Sequence, residues 1–175
     1  MYDILIQNGR IIDGTGSPPM AAQVAIQDGK IVKIARKISG DAKTVIDAAG
    51  KVITPGFIDS HSHSDLNFFD SPQQSAKVEQ GITTSIGGQC GASPYPVAEN
   101  GDIKKMSEFF TKAAEIPQGA NIAAFAGHKA IRKAVMGMAN RAPTQEELEQ
   151  MKALLRDAMD AGAMGVSFGL IYTPS

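Results

Sequence analysis

The chain has 175 residues, of which 43% are apolar and 20% are charged, and its formal net charge is -1. These proportions are typical of a soluble globular protein. No basic run or excess of basic residues is present, so we expect no nucleic-acid partner, because nucleic-acid-binding surfaces are markedly positive.

The sequence also gives an expectation for the cellular compartment of the protein. No segment approaches the roughly 20 apolar residues that a membrane span needs, and the opening residues, MYDILIQNGR, lack the basic and apolar regions of a signal peptide. A single cysteine excludes an internal disulfide and is compatible with a reducing compartment. We therefore expect a cytoplasmic protein without a membrane partner.

Residues 1–54 have the pattern of strands and tight turns. Asn8-Gly9 and Asp28-Gly29 are strong hairpin signals, because both central residues of the favoured turn adopt positive φ. The sequence therefore predicts a small β module with two hairpins and two further short strands. The predicted strands are Asp3 to Gln7, Arg10 to Asp13, Val24 to Gln27, Lys30 to Ala35, Val45 to Asp47 and Lys51 to Thr54.

Residues 55–175 instead repeat an apolar run, a polar cluster and a helix. Strands that alternate with helices predict parallel βαβ units, and polar clusters after the strands are typical of a barrel active site. A complete barrel takes about 250 residues, so we expect an α/β fold comprising the first four units of a TIM-like (β/α) barrel, truncated after its fourth strand. The first apolar run leads into His61 and His63, and the later runs are Ile82 to Gly87, Asn121 to Ala126 and Met164 to Leu170. The predicted helices cover Ser71 to about Gln80, Ser107 to Ala114 and Thr144 to Gly162.

The segment PGFIDSHSHSD, Pro55 to Asp65, carries the most chemistry. Alternate side chains of a strand share a face, so Asp59, His61, His63 and Asp65 are predicted to project together. Imidazole nitrogens and carboxylate oxygens bind zinc and similar divalent metals. The apolar lead-in favours a metal site over two unrelated surface histidines.

Cys90 follows the second predicted strand, within GGQCGASPYPV. A lone cysteine can be a small buried apolar residue. Its neighbouring glycines also allow close backbone approach, and a thiolate beyond a strand end can act as a soft metal ligand beside imidazoles. Both interpretations stay open on the residues alone.

Four segments together resemble the N-acyl-D-amino-acid deacylases, or D-aminoacylases, of the amidohydrolase superfamily. They are PGFIDSHSHSD, QGITTSIGGQCGASPYPV, NIAAFAGHKAIRKAVMG and GAMGVSFGLIYTPS. The resemblance implies a zinc-dependent hydrolase that acts on a small-molecule substrate, an N-acyl-D-amino acid, and releases a carboxylate and a D-amino acid.

The resemblance also implies a ligand set of His61, His63 and Cys90, for one or two zinc ions. The family completes this set with two later histidines and an aspartate that serves as general base, and none of these is in the chain. We therefore expect an inactive N-terminal fragment. Half a barrel leaves an unpaired strand edge, so self-association through that edge is a further expectation.

Three further residues are candidates for the site. His128 follows the third predicted strand and is a candidate for orienting the acyl amide, although a structural role is equally compatible with its position. Arg132 could bind a substrate carboxylate through its planar guanidinium group. Asp65 could fix a histidine tautomer instead of binding the metal directly.

Three other functions are compatible with parts of the sequence. Cyclic amidases such as dihydroorotases and hydantoinases share similar strings, but their fourth strand ends in a carboxylated lysine, and residues 166–172 contain no lysine. A cysteine hydrolase could use Cys90 as nucleophile and His128 as base, which leaves His61 and His63 without a role. The third alternative is a non-catalytic metal-binding module.

Overall fold

The first part of the chain forms a five-stranded mixed sheet. The structure is a computed structural model that describes residues 1–175, and it divides into two units, Met1–Pro55 and Gly56–Ser175. In the first unit the strand order is β3-β2-β1-β4, with β5 also paired to β1. The strands are β1 (Tyr2–Ile11), β2 (Met20–Gln27), β3 (Lys30–Ala35), β4 (Ala42–Asp47) and β5 (Val52–Ile53).

The two hairpin predictions have different outcomes. The hairpin at Asp28-Gly29 is confirmed, since β2 and β3 pair antiparallel on either side of it. The hairpin at Asn8-Gly9 is wrong, because β1 continues through these residues and its register to β2 shifts there. Asn8 has a φ of 58°, so the dipeptide forms a β-bulge within one long strand.

Side chains along β1 and β2 point alternately to the two faces of the first sheet, and both faces carry apolar clusters. Leu5 and Ala25 lie opposite each other and pack with Ile38 on one face. Val24, one residue away from Ala25, packs with Ile11 in a separate cluster. Successive strand residues point to opposite faces, which explains the two clusters.

The second unit is a partial parallel barrel. Strands β6, β7 and β10 pair in parallel in the order β10-β7-β6, and β11, which follows β10 after one residue, pairs in parallel with β12. Four successive barrel positions are therefore present, as predicted. The strands are β6 (Phe57–Asp59), β7 (Ile82–Gly87), β8 (Val97–Glu99), β9 (Asp102–Lys104), β10 (Asn121–Ala124), β11 (Ala126–Gly127) and β12 (Val166–Ser167).

Two predicted helices are confirmed and one is much shorter than expected. The short one begins after Gln74, which adopts a left-handed φ of 45°, so Ser71 cannot start a continuous helix. Around Asn100-Gly101 a small antiparallel hairpin, β8–β9, was not predicted. The helices are α1 (Ser75–Val78), α2 (Met106–Glu115), α3 (His128–Met136) and α4 (Gln145–Asp160), and a 3-10 helix covers Ser64–Asn67.

Helix α4 begins at the predicted capping box. Thr144 Oγ1 accepts a hydrogen bond from the Glu147 amide at 3.2 Å, and the Glu147 carboxylate accepts one from the Thr144 amide at 2.7 Å. Each side chain thus satisfies a backbone donor that the first helical turn leaves free. None of the four helices combines the length and the apolarity that a membrane span requires.

The main core of the second unit lies around Phe109 of α2, which is fully buried. Its ring makes edge-to-face contacts with Phe68 at 5.9 Å and Phe69 at 5.5 Å between centroids. By contrast, Ile58 on the outer strand β6 has 65% of its surface exposed, and Ile171, in the turn that follows β12, has 88% exposed. Self-association through such an edge stays a prediction.

Candidate metal centre

His61, His63 and Cys90 bring three potential metal ligands together. One ligand atom from each lies within 4.8 Å of the other two, and Cys90 Sγ lies 3.5 Å from His61 Nε2. A tetrahedral zinc ion with ordinary Zn–N and Zn–S bonds separates such a nitrogen and sulfur by about 3.6 Å. The spacing of Cys90 and His61 therefore fits a shared zinc ion, and the mixed imidazole and thiolate character of the cluster suits zinc as well.

The two histidines reach this cluster from a bent segment, not from a strand. Strand β6 ends at Asp59, so the predicted projection of four alternate side chains from one strand is wrong. Asp59 Oδ2 instead lies 2.6 Å from Lys77 Nζ. Asp65 lies in the 3-10 helix and is buried.

Ser62 and Lys77 fix the backbone between the two histidines. Ser62 is buried, and its amide donates to the Ile86 carbonyl at 3.0 Å. Its hydroxyl accepts a hydrogen bond from Lys77 Nζ at 2.6 Å, and the same ammonium group binds Asp59. The hydrogen bond from Lys77 lowers the pKa of the Asp59 carboxyl. Helix α1 thereby links the end of β6 to the His61–His63 segment.

Cys90 lies in a tight loop after β7. Its φ is 55°, in the left-handed region that residues other than glycine rarely adopt. At Gly88 a Cβ atom would lie 1.9 Å from the Phe125 carbonyl oxygen, so only glycine fits there. The side-chain Nε2 of Gln89 donates to the Ser60 carbonyl at 3.0 Å. This bond ties the Cys90 loop to the residue that precedes His61.

Asp65 supports the Cys90 loop through the backbone. Its Oδ2 accepts a hydrogen bond from the Gly88 amide at 2.9 Å, and its Oδ1 is buried without a partner. Burial raises the pKa of this carboxyl, and the bond from Gly88 opposes that rise. No hydrogen bond joins Asp65 to a histidine ring, so its suggested control of a tautomer stays a prediction.

Ser167 and Gln89 support the site but were not identified from the sequence. The Ser167 hydroxyl accepts a hydrogen bond from the Gly91 amide at 3.0 Å and donates to the Gly88 carbonyl. Ser167 ends β12, so its place at a strand terminus was the one signal that could have indicated it.

His128 is the first residue of α3, directly after β11. Its ring lies 5.1 Å from the Phe168 ring, and its Nδ1 is buried without a hydrogen-bond partner. Burial lowers the pKa of His128, and the nearby Arg132 charge lowers it further. The hydrogen bond of the Cys90 thiol is with His61, so the structure offers no bond between Cys90 and His128 for a cysteine hydrolase.

The Arg132 guanidinium group contacts backbone carbonyls. Nη2 donates to Ala139 at 2.7 Å and to Arg141 at 2.9 Å, while Nε donates to Pro174. These bonds join the middle of α3 to the following loop and to Pro174. Binding of a substrate carboxylate by Arg132 stays a prediction, and it would require some of these bonds to be exchanged.

Comparison with known proteins identifies the family. A sequence model described as "Amidohydrolase family" matches residues 44–174, which is most of the chain. The chain belongs to the amidohydrolase family.

Relatives within the amidohydrolase family include deacylases of acylated D-amino acids. An N-acyl-D-aspartate deacylase from Alcaligenes xylosoxydans xylosoxydans is 37% identical, over 99% of this chain and 38% of the relative. The structure of an N-acyl-D-glutamate deacylase from Bordetella bronchiseptica, complexed with zinc and a phosphonate inhibitor, superposes with a TM-score of 0.92 at 36% identity, over 99% of this chain and 39% of that one.

A D-aminoacylase structure described with a binuclear metal centre is equally similar in fold. Its TM-score is 0.92 at 34% identity, over 99% of this chain and 40% of that one, and its description assigns activation to one metal and attenuation to the second. The predicted resemblance and fold class are confirmed. The chain spans about two fifths of the length of these relatives.

Proposed function

We propose that this chain supplies metal-binding residues for the zinc-dependent hydrolysis of the amide bond in N-acyl-D-amino acids. The products would be a carboxylate and a D-amino acid. The observation that carries the proposal is the convergence of His61, His63 and Cys90 in a chain that is similar to a deacylase over 99% of its length.

In this proposal His61 and His63 bind zinc through neutral imidazole nitrogens, and Cys90 binds it as a thiolate. Metal ligands of these types must be deprotonated, so binding releases protons. When bound, the zinc ion supplies Lewis-acid activation of a carbonyl group and of water. Lys77 and Asp65 hold the two ligand-bearing segments in place, through Ser62 and Gly88 respectively.

His128 is proposed to orient the acyl amide of the substrate. Its ring is held against Phe168 at the start of α3. Burial lowers the pKa of this imidazole, which favours the neutral form. A neutral imidazole carries one N–H donor and one acceptor nitrogen, so it can meet either the carbonyl or the N–H of an amide.

The metal assignment is tested by plasma-emission analysis of the purified 175-residue chain. Cys90→Ala is compared with His128→Gln, which alters a histidine outside the cluster and is therefore the matched control. We expect near-stoichiometric zinc in the native chain and in His128→Gln, and strong loss of zinc in Cys90→Ala. A folded native chain that binds no zinc would contradict the assignment. The zinc-to-protein ratio also distinguishes one ion from two.

The substrate class is tested on the zinc-loaded chain by thermal unfolding in the presence of N-acetyl-D-aspartate or its L isomer. A ligand that binds only the native state raises the unfolding temperature. Stabilisation by the D isomer alone supports the proposal. Equal effects of both isomers, or no effect of either, count against the substrate assignment and leave the metal assignment to its own test.

A further inference from the structure

We propose that Ser167 is a positioning residue that holds the Cys90 loop in the conformation that binds metal. The inference rests on the proposed role of Cys90 as a zinc ligand. Ser167 lies within the segment GAMGVSFGLIYTPS, but the sequence alone assigned it no role, and its importance follows from what its hydroxyl contacts.

The Ser167 hydroxyl bridges the two sides of Cys90. It donates to the carbonyl of Gly88 and accepts from the amide of Gly91, at 3.0 Å for the second bond. These groups lie two residues before and one residue after Cys90. A single hydroxyl thereby closes the loop on both sides of the thiol-bearing residue.

The Cys90 loop needs such a restraint because its backbone is unfavourable. Cys90 has a φ of 55°, a conformation that persists in a residue other than glycine only where surrounding contacts enforce it. Within the loop, the Ala92 amide donates to the Gln89 carbonyl at 2.9 Å. That bond closes the turn, whereas the Ser167 bonds connect the loop to β12, which pairs with β11 and not with β7.

Removal of the hydroxyl should leave the strand itself intact. Ser167 pairs with Gly127 in the parallel β11–β12 ladder through backbone atoms, which a side-chain substitution retains. The expected change is therefore local: the Gly88 carbonyl and the Gly91 amide lose their shared partner, and Cys90 samples other conformations. Loss of a supporting hydrogen bond of this kind typically weakens metal binding by about 10- to 100-fold.

The test compares Ser167→Ala with Ser167→Thr and Ser167→Val. Threonine and valine have the same shape, and only threonine retains the hydroxyl. Ser107→Ala is the matched control, because the Ser107 hydroxyl binds Asp157 at 3.0 Å and lies outside the cluster. Zinc affinity is measured by competition with a chromophoric chelator, and circular dichroism confirms folding.

A second readout does not require metal. The rate at which Cys90 reacts with an aromatic disulfide reagent is measured on the zinc-free chain, where a released loop should expose the thiol more often. We expect faster reaction and about tenfold or greater loss of zinc affinity for Ser167→Ala and Ser167→Val. Ser167→Thr and Ser107→Ala should match the native chain in both measurements.

Each outcome separates this inference from the proposed function. If the native chain binds no zinc, the metal assignment fails, and the thiol reaction rates alone decide the role of Ser167. If zinc binds with equal affinity to the native chain, Ser167→Ala and Ser167→Val, and the thiol rates also agree, the inference is overturned while the metal assignment stands. If Ser167→Ala does not fold, the threonine and valine pair decides. Unfolding of both hydroxyl-free variants would assign Ser167 to general stability and overturn the inference.

Discussion

Replacement of Lys77 by methionine should weaken both the fold and the metal centre. The ammonium group of Lys77 binds Asp59 and the Ser62 hydroxyl, each at 2.6 Å, and the side chains of Lys77 and Asp59 are only 20% and 28% exposed. A hydrogen bond to a charged group contributes about 1.5–3 kcal/mol, and partial exposure reduces this value. We expect Lys77→Met to lower the free energy of unfolding by about 1–2 kcal/mol.

The effect on zinc should exceed what the loss of stability explains. Ser62 lies between His61 and His63, so release of its hydroxyl from Lys77 frees the backbone that spaces the two imidazoles. A tenfold or larger increase in the zinc dissociation constant is the usual result when a supporting partner is removed. Urea unfolding of the zinc-free chain gives the stability change, and chelator competition gives the affinity.

Lys43→Met is the matched control for this experiment. Lys43 also lies 2.6 Å from a carboxylate, that of Asp3, but its side chain is 62% exposed and it belongs to the first unit. Exposed ion pairs contribute little, so Lys43→Met should resemble the native chain in both measurements. If Lys77→Met and Lys43→Met behave alike, the reasoning about the His61–His63 segment is refuted.

Two further predictions concern stability. Phe109→Ala removes a fully buried ring from the centre of the aromatic cluster and should lower the free energy of unfolding by about 3–5 kcal/mol; a loss below 1 kcal/mol in urea unfolding would contradict this packing. Arg141 and the Thr144 amide lower the pKa of Glu147 from 4.5 to about 2, so its carboxylate stabilises the fold above about pH 4.5 and loses this effect as the pH falls towards 2. The difference in unfolding temperature between the native chain and Glu147→Gln should therefore shrink over this range, and a constant difference from pH 6 to pH 2 would exclude the mechanism.

Local sequence signals predicted those elements whose decisive contacts are local. The capping box of Thr144 and Glu147 fixed the start of α4, and Asp28-Gly29 formed the expected hairpin. Asn8-Gly9 carries the same local signal but lies in a bulge, because β1 pairs along its length with β2 on one side and with β4 and β5 on the other. The long strand is favoured by these non-local pairings, which outweigh the turn preference of two residues.

The difference between local and non-local contacts also explains which parts of the candidate site could be predicted. His61, His63 and Cys90 could be identified because they are rare residue types that follow predicted strands, and the structure brings their ligand atoms together. The error at Asp59 arose because β6 pairs with β7 only as far as Asp59 and Ser85. Beyond that pair the chain bends, so the period of two that governs a strand no longer applies.

The residues that support the candidate site were harder to predict than the candidate ligands, because they come from distant parts of the chain. Ser167 is separated by 76 residues from Gly91, which donates to its hydroxyl, and Lys77 by 15 residues from Ser62. Serine and lysine are common residue types, and neither spacing has a periodic signature. Their roles follow from the barrel, which brings the ends of its parallel strands to one edge. A local sequence motif can therefore indicate candidate metal-binding atoms, while the precision of their placement depends on contacts between β/α units. We predict that substitutions at those contacts alter metal affinity without changing a candidate ligand.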